Sequence, residues 1–135
     1  MPRFLLDASA LYPLAMTLGE RLLDYASELA VLDLTVYEVG NVLWKEYRRR
    51  RISDPEPLAQ LFEEVFSILT VLRTSGSVAD ILRLAIRENL TFYDAAYLYA
   101  TRLHGMRLVT EDRDLSRYPE AMSVQQLLEE LGVST

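Results

Sequence analysis

Four carboxylates in this chain have types and positions suited to holding a divalent cation: Asp7, Glu38, Asp94 and Asp112. Asp7 closes the apolar run Phe4-Leu5-Leu6 and is followed by the small residues Ala8, Ser9 and Ala10. Glu38 lies in "TVYEVGNVL", Asp94 in "TFYDAAYLYAT", and Asp112 just after "LVTE". Brought together, such acids repel one another unless a cation sits among them. Oxygen donors without His or Cys suit Mg²⁺ or Mn²⁺ rather than Zn²⁺. A cation held that way can bind a phosphodiester, polarise its phosphoryl oxygen and activate water for in-line attack.

Each acid also has a plainer reading. Asp7 can cap the helix that follows it, and Glu38 can be the return half of a capping box opened by Thr35. Asp94 can complement a helix dipole, and Asp112 can serve a turn. What favours chemistry is their joint placement. Asp7 and the Glu111-Asp112 pair each follow an expected strand, while Glu38 and Asp94 sit at helix beginnings. Asp112, rather than Glu111, is taken as the acid that faces inward. Ser9 and Thr110 put hydroxyls beside the strand-end acids, where they can orient a carboxylate or hold water. Asn41, three residues beyond Glu38, shares its helix face.

The elements that must position these residues follow from periodicity and stop signals. Short apolar runs predict strands at 3–6, 30–34, 71–72 and 106–110. Helices are expected at 8–17, with Pro13 in a first turn or at a kink, and at 20–29. Another runs over 35–51, opened by Thr35, and a fourth runs from the Asp54-Pro55-Glu56-Pro57 break to about residue 70. Further helices cover 77–88, 91–104 between a Thr91 cap and a Gly105 stop, and 124–131. Strands alternating with helices imply a three-layer α/β/α fold on a mainly parallel sheet, with ligand sites beyond the strands' carboxyl ends. No linker divides residues 1–135, so a single domain is expected.

Composition narrows the function. Fourteen Lys and Arg against 20 Asp and Glu give a net charge of −6, which opposes broad coating of nucleic acid. There is no Cys, so neither disulfides nor thiolate metal sites can form. Asp7 interrupts the early apolar run, and the stretch containing Pro13 is too short to cross a bilayer, so a soluble cytoplasmic protein without membrane association is expected. His104, the single His, is read as suiting a helix end rather than serving as a catalytic base. The run Arg48-Arg49-Arg50-Arg51 closes the Glu38 helix. It suits either the helix dipole and solvent or the phosphates of RNA. Tyr93, Tyr97 and Tyr99 are read as core or interface, with base stacking open to one of them.

"LLDASAL", "TVYEVGNVL", "LTFYDAAYLYAT" and "LVTEDRDL" resemble, in order and separation, the four acidic motifs of PIN domains, and most closely those of VapC toxins from type II toxin–antitoxin pairs. The resemblance spans essentially the whole chain. It implies the three-layer fold and an Mg²⁺- or Mn²⁺-dependent endoribonuclease leaving a 5′-phosphate and a 3′-hydroxyl. It also implies an antitoxin partner and a homodimer. Carried over by motif, Asp7, Glu38, Asp94 and Asp112 form the acidic quartet, and Ser9, Asn41 and Thr110 support it. Asp114 matches the family's second acid after "D-x" and joins the supporting set.

Three alternatives compete. A phosphatase with Asp7 as nucleophile would carry a second Asp where this chain has Ser9. A receiver domain would need a Lys after a late strand, where acids stand instead. A catalytically silent PIN-like module that binds RNA or protein is opposed by the complete quartet.

Overall fold

The computed structural model describes residues 1–133. Strands β1 (Phe4–Leu6), β2 (Leu29–Leu32), β3 (Thr70–Leu72), β4 (Arg107–Val109) and β5 (Ala121–Met122) form one sheet in the order β3-β2-β1-β4-β5. Every pairing is parallel. Successive side chains of a strand point to opposite faces, so a sheet covered on both sides needs strands that are apolar throughout. That is what β1, β2 and most of β4 supply. Phe4, Leu6, Leu29, Val31 and Val109 join one core cluster, and Leu5, Ala30, Leu32 and Leu108 join the other.

On the first face lie α1 (Ala8–Leu18), α2 (Asp33–Arg48), α3 (Glu56–Ile68) and the last helix, α7 (Val124–Glu130). The opposite face is covered by α4 (Val78–Glu88), α5 (Phe92–His104) and the single turn α6 (Arg113–Ser116). The expected three-layer α/β/α arrangement is therefore present.

Several boundaries differ from expectation, each for a local reason. Residues Gly19–Glu28 form a 3₁₀ run rather than an α-helix, with only Leu22 buried. A single buried anchor gives no apolar face to dock a regular helix. Strand β2 starts and stops earlier than 30–34, because Asp33 already belongs to α2: its Oδ1 accepts the Leu34 N–H at 3.0 Å and the Thr74 hydroxyl at 3.3 Å. Thr35 consequently lies inside the first turn and is not the cap. Pro13 is the sixth residue of α1, neither in the first turn nor at the helix end, so the Ser9 carbonyl lacks the N–H it would otherwise accept. Strand β5 and the turn α6 carry too few residues to show any period.

Candidate active site

The carboxyl edge of the sheet gathers the acids. Strand β1 delivers Asp7 directly, and β4 delivers Thr110, Glu111 and Asp112 on the neighbouring strand. Helix α2 starts where β2 ends, which brings Glu38 to the same edge. Helix α5 runs back toward the start of β4, so its first turn, with Asp94, lies at the carboxyl end. Thr91 caps that turn by accepting the Asp94 N–H at 3.1 Å.

Asp7 is both a cap and a member of the site. It is 5 % exposed. Its Oδ1 accepts the Ala10 N–H at 3.1 Å and the Ser9 hydroxyl at 2.6 Å, and its Oδ2 accepts the Thr110 hydroxyl at 2.5 Å. The two hydroxyls are themselves tied to the β4 end. The Glu111 N–H donates to Ser9 Oγ at 2.9 Å, and the Asp112 N–H donates to Thr110 Oγ1 at 2.9 Å. Burial pushes the Asp7 carboxyl up to about 6, against the hydrogen bonds of Ser9, Thr110 and Ala10, with a smaller push from the charge of Glu38.

Asp94, Asp112 and Asp114 each present a carboxylate oxygen, and these atoms lie within 4.8 Å of one another. Asp112 also caps α6, its Oδ1 accepting the Asp114 N–H at 2.8 Å. Burial first, then the charges of Asp112, Asp114 and Asp7, push Asp94 up to about 6. Glu38 is half-buried and raised by burial, opposed by a hydrogen bond from the Tyr97 hydroxyl and reinforced by the charges of Asp94 and Asp112. Among the described residues, no ion pair reaches any of these five acids. Their mutual repulsion is thus uncompensated by protein cations. A cluster of oxygen donors in that state fits a hard divalent cation.

The expected residues thus separate into groups. The close trio is Asp94, Asp112 and Asp114, with Asp7 and Glu38 beside it; Asp114, expected only to support, stands within ligand distance of the other two. Glu111 is directed elsewhere, its Oε1 accepting the Val124 N–H at 2.8 Å. Asn41 is exposed and lines, with Glu38, Ser9, Tyr12, Pro13 and Val42, a groove of about 380 Å³ next to the acids. Four other cavities, of about 390 to 420 Å³, are larger, yet none of the five acids lines any of them, and convergence of carboxylates locates chemistry better than volume does.

Arg48 to Arg51 are exposed and remote. At ~1.5 Å rise per residue they lie roughly 15–20 Å along the helix from Glu38. Arg48 stacks over Trp44, 5.3 Å from the ring centre, and Arg51 pairs with Glu46 at 3.2 Å. Two residues escaped the sequence reading. Thr35 does not cap α2, and Tyr97 is buried but not merely core: its hydroxyl joins Thr35 to Glu38. The available signal was spacing, since Tyr97 is one helical turn from Asp94 and Thr35 one turn from Glu38.

A parallel α/β fold with acids converging at the carboxyl edge of its central strands is an arrangement that metal-dependent phosphodiester-cleaving enzymes share. The chain belongs to the PIN-domain family, whose family model matches residues 4–121. Proteins of this family that act as nucleases generally use divalent metal ions. It is 40 % identical over 130 residues to Exonuclease VapC9 of Pyrobaculum aerophilum, covering 96 % of each chain. It is 36 % identical over 121 residues to Ribonuclease VapC3 of the same organism, covering 84 % of this chain and 92 % of that one. The crystal structure of PAE2754, also from Pyrobaculum aerophilum, superposes with a TM-score of 0.87 at 39 % identity and 97 % coverage of both chains. A DNA-bound VapBC from Salmonella typhimurium shares the fold, with a TM-score of 0.62 at 19 % identity over 92 % of this chain and 99 % of that one.

Proposed function

We propose that this protein is an Mg²⁺- or Mn²⁺-dependent endoribonuclease and the toxin of a type II toxin–antitoxin pair, working in the cytoplasm as a single PIN domain of residues 1–135. The observation that carries this is the approach of Asp94, Asp112 and Asp114 to within 4.8 Å, beside a buried Asp7 and a hydrogen-bonded Glu38. Family membership and the VapC relatives support the nuclease part.

Asp94, Asp112 and Asp114 would hold the cation, with Asp7 and Glu38 completing its surroundings. When bound, the cation supplies Lewis acidity to the phosphoryl oxygen and lowers the pKa of water. The chain's own residues do the positioning. Ser9 and Thr110 fix both oxygens of Asp7, so that the carboxylate is oriented before substrate arrives. Asp112 anchors the start of α6 and thereby sets the place of Asp114. The acidic edge excludes the RNA backbone unless positive charge is present, which makes productive binding conditional on metal. Water adds to phosphorus, the bond to the 3′-oxygen breaks, and that oxygen leaves as the 3′-hydroxyl after taking a proton. Asn41, which lines the neighbouring groove, would touch the nucleotide that enters it.

The silencing partner would lie over α2 and α3. Gly40, Leu43, Trp44, Tyr47, Pro55 and Ala59, together with the acids Asp54 and Glu56, line a mainly apolar groove of about 390 Å³ there, suited to an amphipathic segment of an antitoxin. A homodimer is the assembly we expect. Incubating the partner-free protein with a circular RNA, a linear RNA and a single-stranded DNA under a Mn²⁺ titration tests the reading. Metal-dependent opening of the circle is expected, because a circle has no end for an exonuclease. Degradation confined to linear molecules would replace the endonuclease with an exonuclease, and no cleavage of any substrate would remove the enzymatic reading.

A further inference from the structure

Glu38 is the one glutamate among the five acids of the site, and its side chain has three rotatable bonds with which to leave its place. Something must hold it. The Tyr97 hydroxyl donates to Glu38 Oε1, Tyr97 Oη lies 2.8 Å from Thr35 Oγ1, and Thr35 Oγ1 accepts the Leu32 N–H at 3.0 Å. Tyr97 is 1 % exposed and Thr35 0 %. Each hydroxyl has one proton. Since the tyrosine gives its proton to Glu38, it must accept from Thr35, and Thr35 must then accept from the backbone. Only one ordering satisfies all three bonds, and every donor in it points toward Glu38. Chained hydrogen bonds of this kind polarise one another in a low-dielectric interior.

The chain engages one carboxylate oxygen, Oε1, so Oε2 stays available to the cluster. It also ties the start of α2, through the end of β2, to the middle of α5. Helix α5 carries Asp94 one turn before Tyr97, so one element presents both a partner acid and the group that fixes Glu38 relative to it.

We propose that Tyr97 and Thr35 are positioning residues that lock Glu38 in the geometry for metal and substrate, an inference resting on the nuclease reading above. Neither touches the substrate. Outer hydrogen bonds to metal-binding carboxylates change metal affinity by about 10- to 100-fold when removed.

Tyr97→Phe deletes the hydroxyl and keeps the ring in the core. Mn²⁺ affinity, read from the free-ion electron paramagnetic resonance signal, is expected to fall about tenfold. The kcat for RNA cleavage at saturating Mn²⁺ should fall while KM changes little. Thr35→Val breaks the chain one link further back and should lower affinity in the same direction by less, whereas Thr35→Ser, which keeps the hydroxyl, should restore it. In a Glu38→Gln background, Tyr97→Phe should add little. Should Tyr97→Phe melt at the assay temperature, the Thr35 pair decides alone. Wild type that binds Mn²⁺ and cleaves RNA beside a folded Tyr97→Phe with unchanged affinity and kcat would overturn the positioning role alone. Wild type that neither binds Mn²⁺ nor cleaves RNA would overturn the nuclease reading, and this one with it.

Discussion

Asp7 and the Asp94–Asp112–Asp114 trio share one sheet edge but live under different rules. Every oxygen of Asp7 is engaged by a donor of the chain, and the residue is almost wholly enclosed. The trio has one backbone donor at Asp112 and one helix cap behind Asp94, with carboxylates otherwise facing each other across less than 4.8 Å. One half is satisfied by the fold, and the other is left wanting a cation. Rigidity and unmet charge are thus assigned to different residues of one site. Glu38 bridges the two conditions, with one oxygen tied to Tyr97 and the other without a hydrogen-bond partner among the described residues.

The largest expected effect breaks the open half. Asp112→Asn and Asp94→Asn should lower RNA cleavage on the order of 10²–10³-fold, the scale for losing one preorganised electrostatic contact to a transition state. Asp7→Asn should also remove activity while leaving the chain folded; wild-type rates in any of the three, with metal present, would show that the carboxylate concerned is outside the reaction. Saturating Mn²⁺ at about a hundredfold excess over Kd should add roughly 2.7 kcal/mol, raising Tm by about 10 °C in a chain of this size. That gain should vanish in Asp94→Asn, and an unmoved wild-type melting curve would count against a shared site.

The satisfied half was partly legible in the residues themselves. Asp7 after an apolar run followed by Ser9, and Thr110 before Asp112, announce a strand-end acid with hydroxyls beside it. The parallel sheet was legible because β1, β2 and β4 are apolar on both faces, which only a sheet covered on both sides requires. Tyr97 was not legible. An aromatic at helical spacing normally fills a core, and only the meeting of α5 with α2, through residues 59 apart, turns its hydroxyl toward an acid. Strand β5 failed for the opposite reason, since two residues at a sheet edge are placed by the β4 backbone rather than by their own pattern. Asp114 was ranked below the quartet because chain order cannot show that α6 is a single tight turn.

Proton linkage sharpens the comparison further. Burial raises Asp7 and Asp94 to about 6 from near 4, so the folded chain favours their neutral forms. Stability from these groups is therefore present below pH 4 and lost as pH rises through 6. For Asp7 the loss is of the order of 3 kcal/mol; for the more exposed Asp94 it is smaller. Urea melts of metal-free wild type minus those of Asp7→Asn should show this decline between pH 4 and 7, and added Mn²⁺ should flatten it. A difference that does not vary with pH would mean that Asp7 is not strained by its burial.

Residues away from both halves should matter least to the chemistry. Arg49→Glu with Arg50→Glu should weaken RNA binding and reduce the salt slope by about 0.7 for each lost phosphate contact. An unchanged slope would return the run to its role at the helix end. Trp44 is 55 % exposed, so Trp44→Ala should alter stability by under about 1 kcal/mol and leave cleavage intact while weakening capture of an antitoxin peptide. Equal peptide affinity would move the docking site away from the α2–α3 groove.

The place of β1 in the sheet has a consequence for the life of the chain. It is the central strand, yet β4, its partner on one side, arrives about a hundred residues later; Thr110 and Asp7, bonded to each other, are 103 positions apart. Closing so long a loop precedes any reward from the contact, so this pairing belongs to the slow, late part of folding. A growing chain on the ribosome has already made Asp7 and Glu38 while Asp94, Asp112 and Asp114 do not yet exist. The most proximal portion of the protein is then an acidic fragment with an unpaired strand edge and no place to hold a cation. An activity that needs Asp94, Asp112 and Asp114 would therefore begin only after residue 114 has been made.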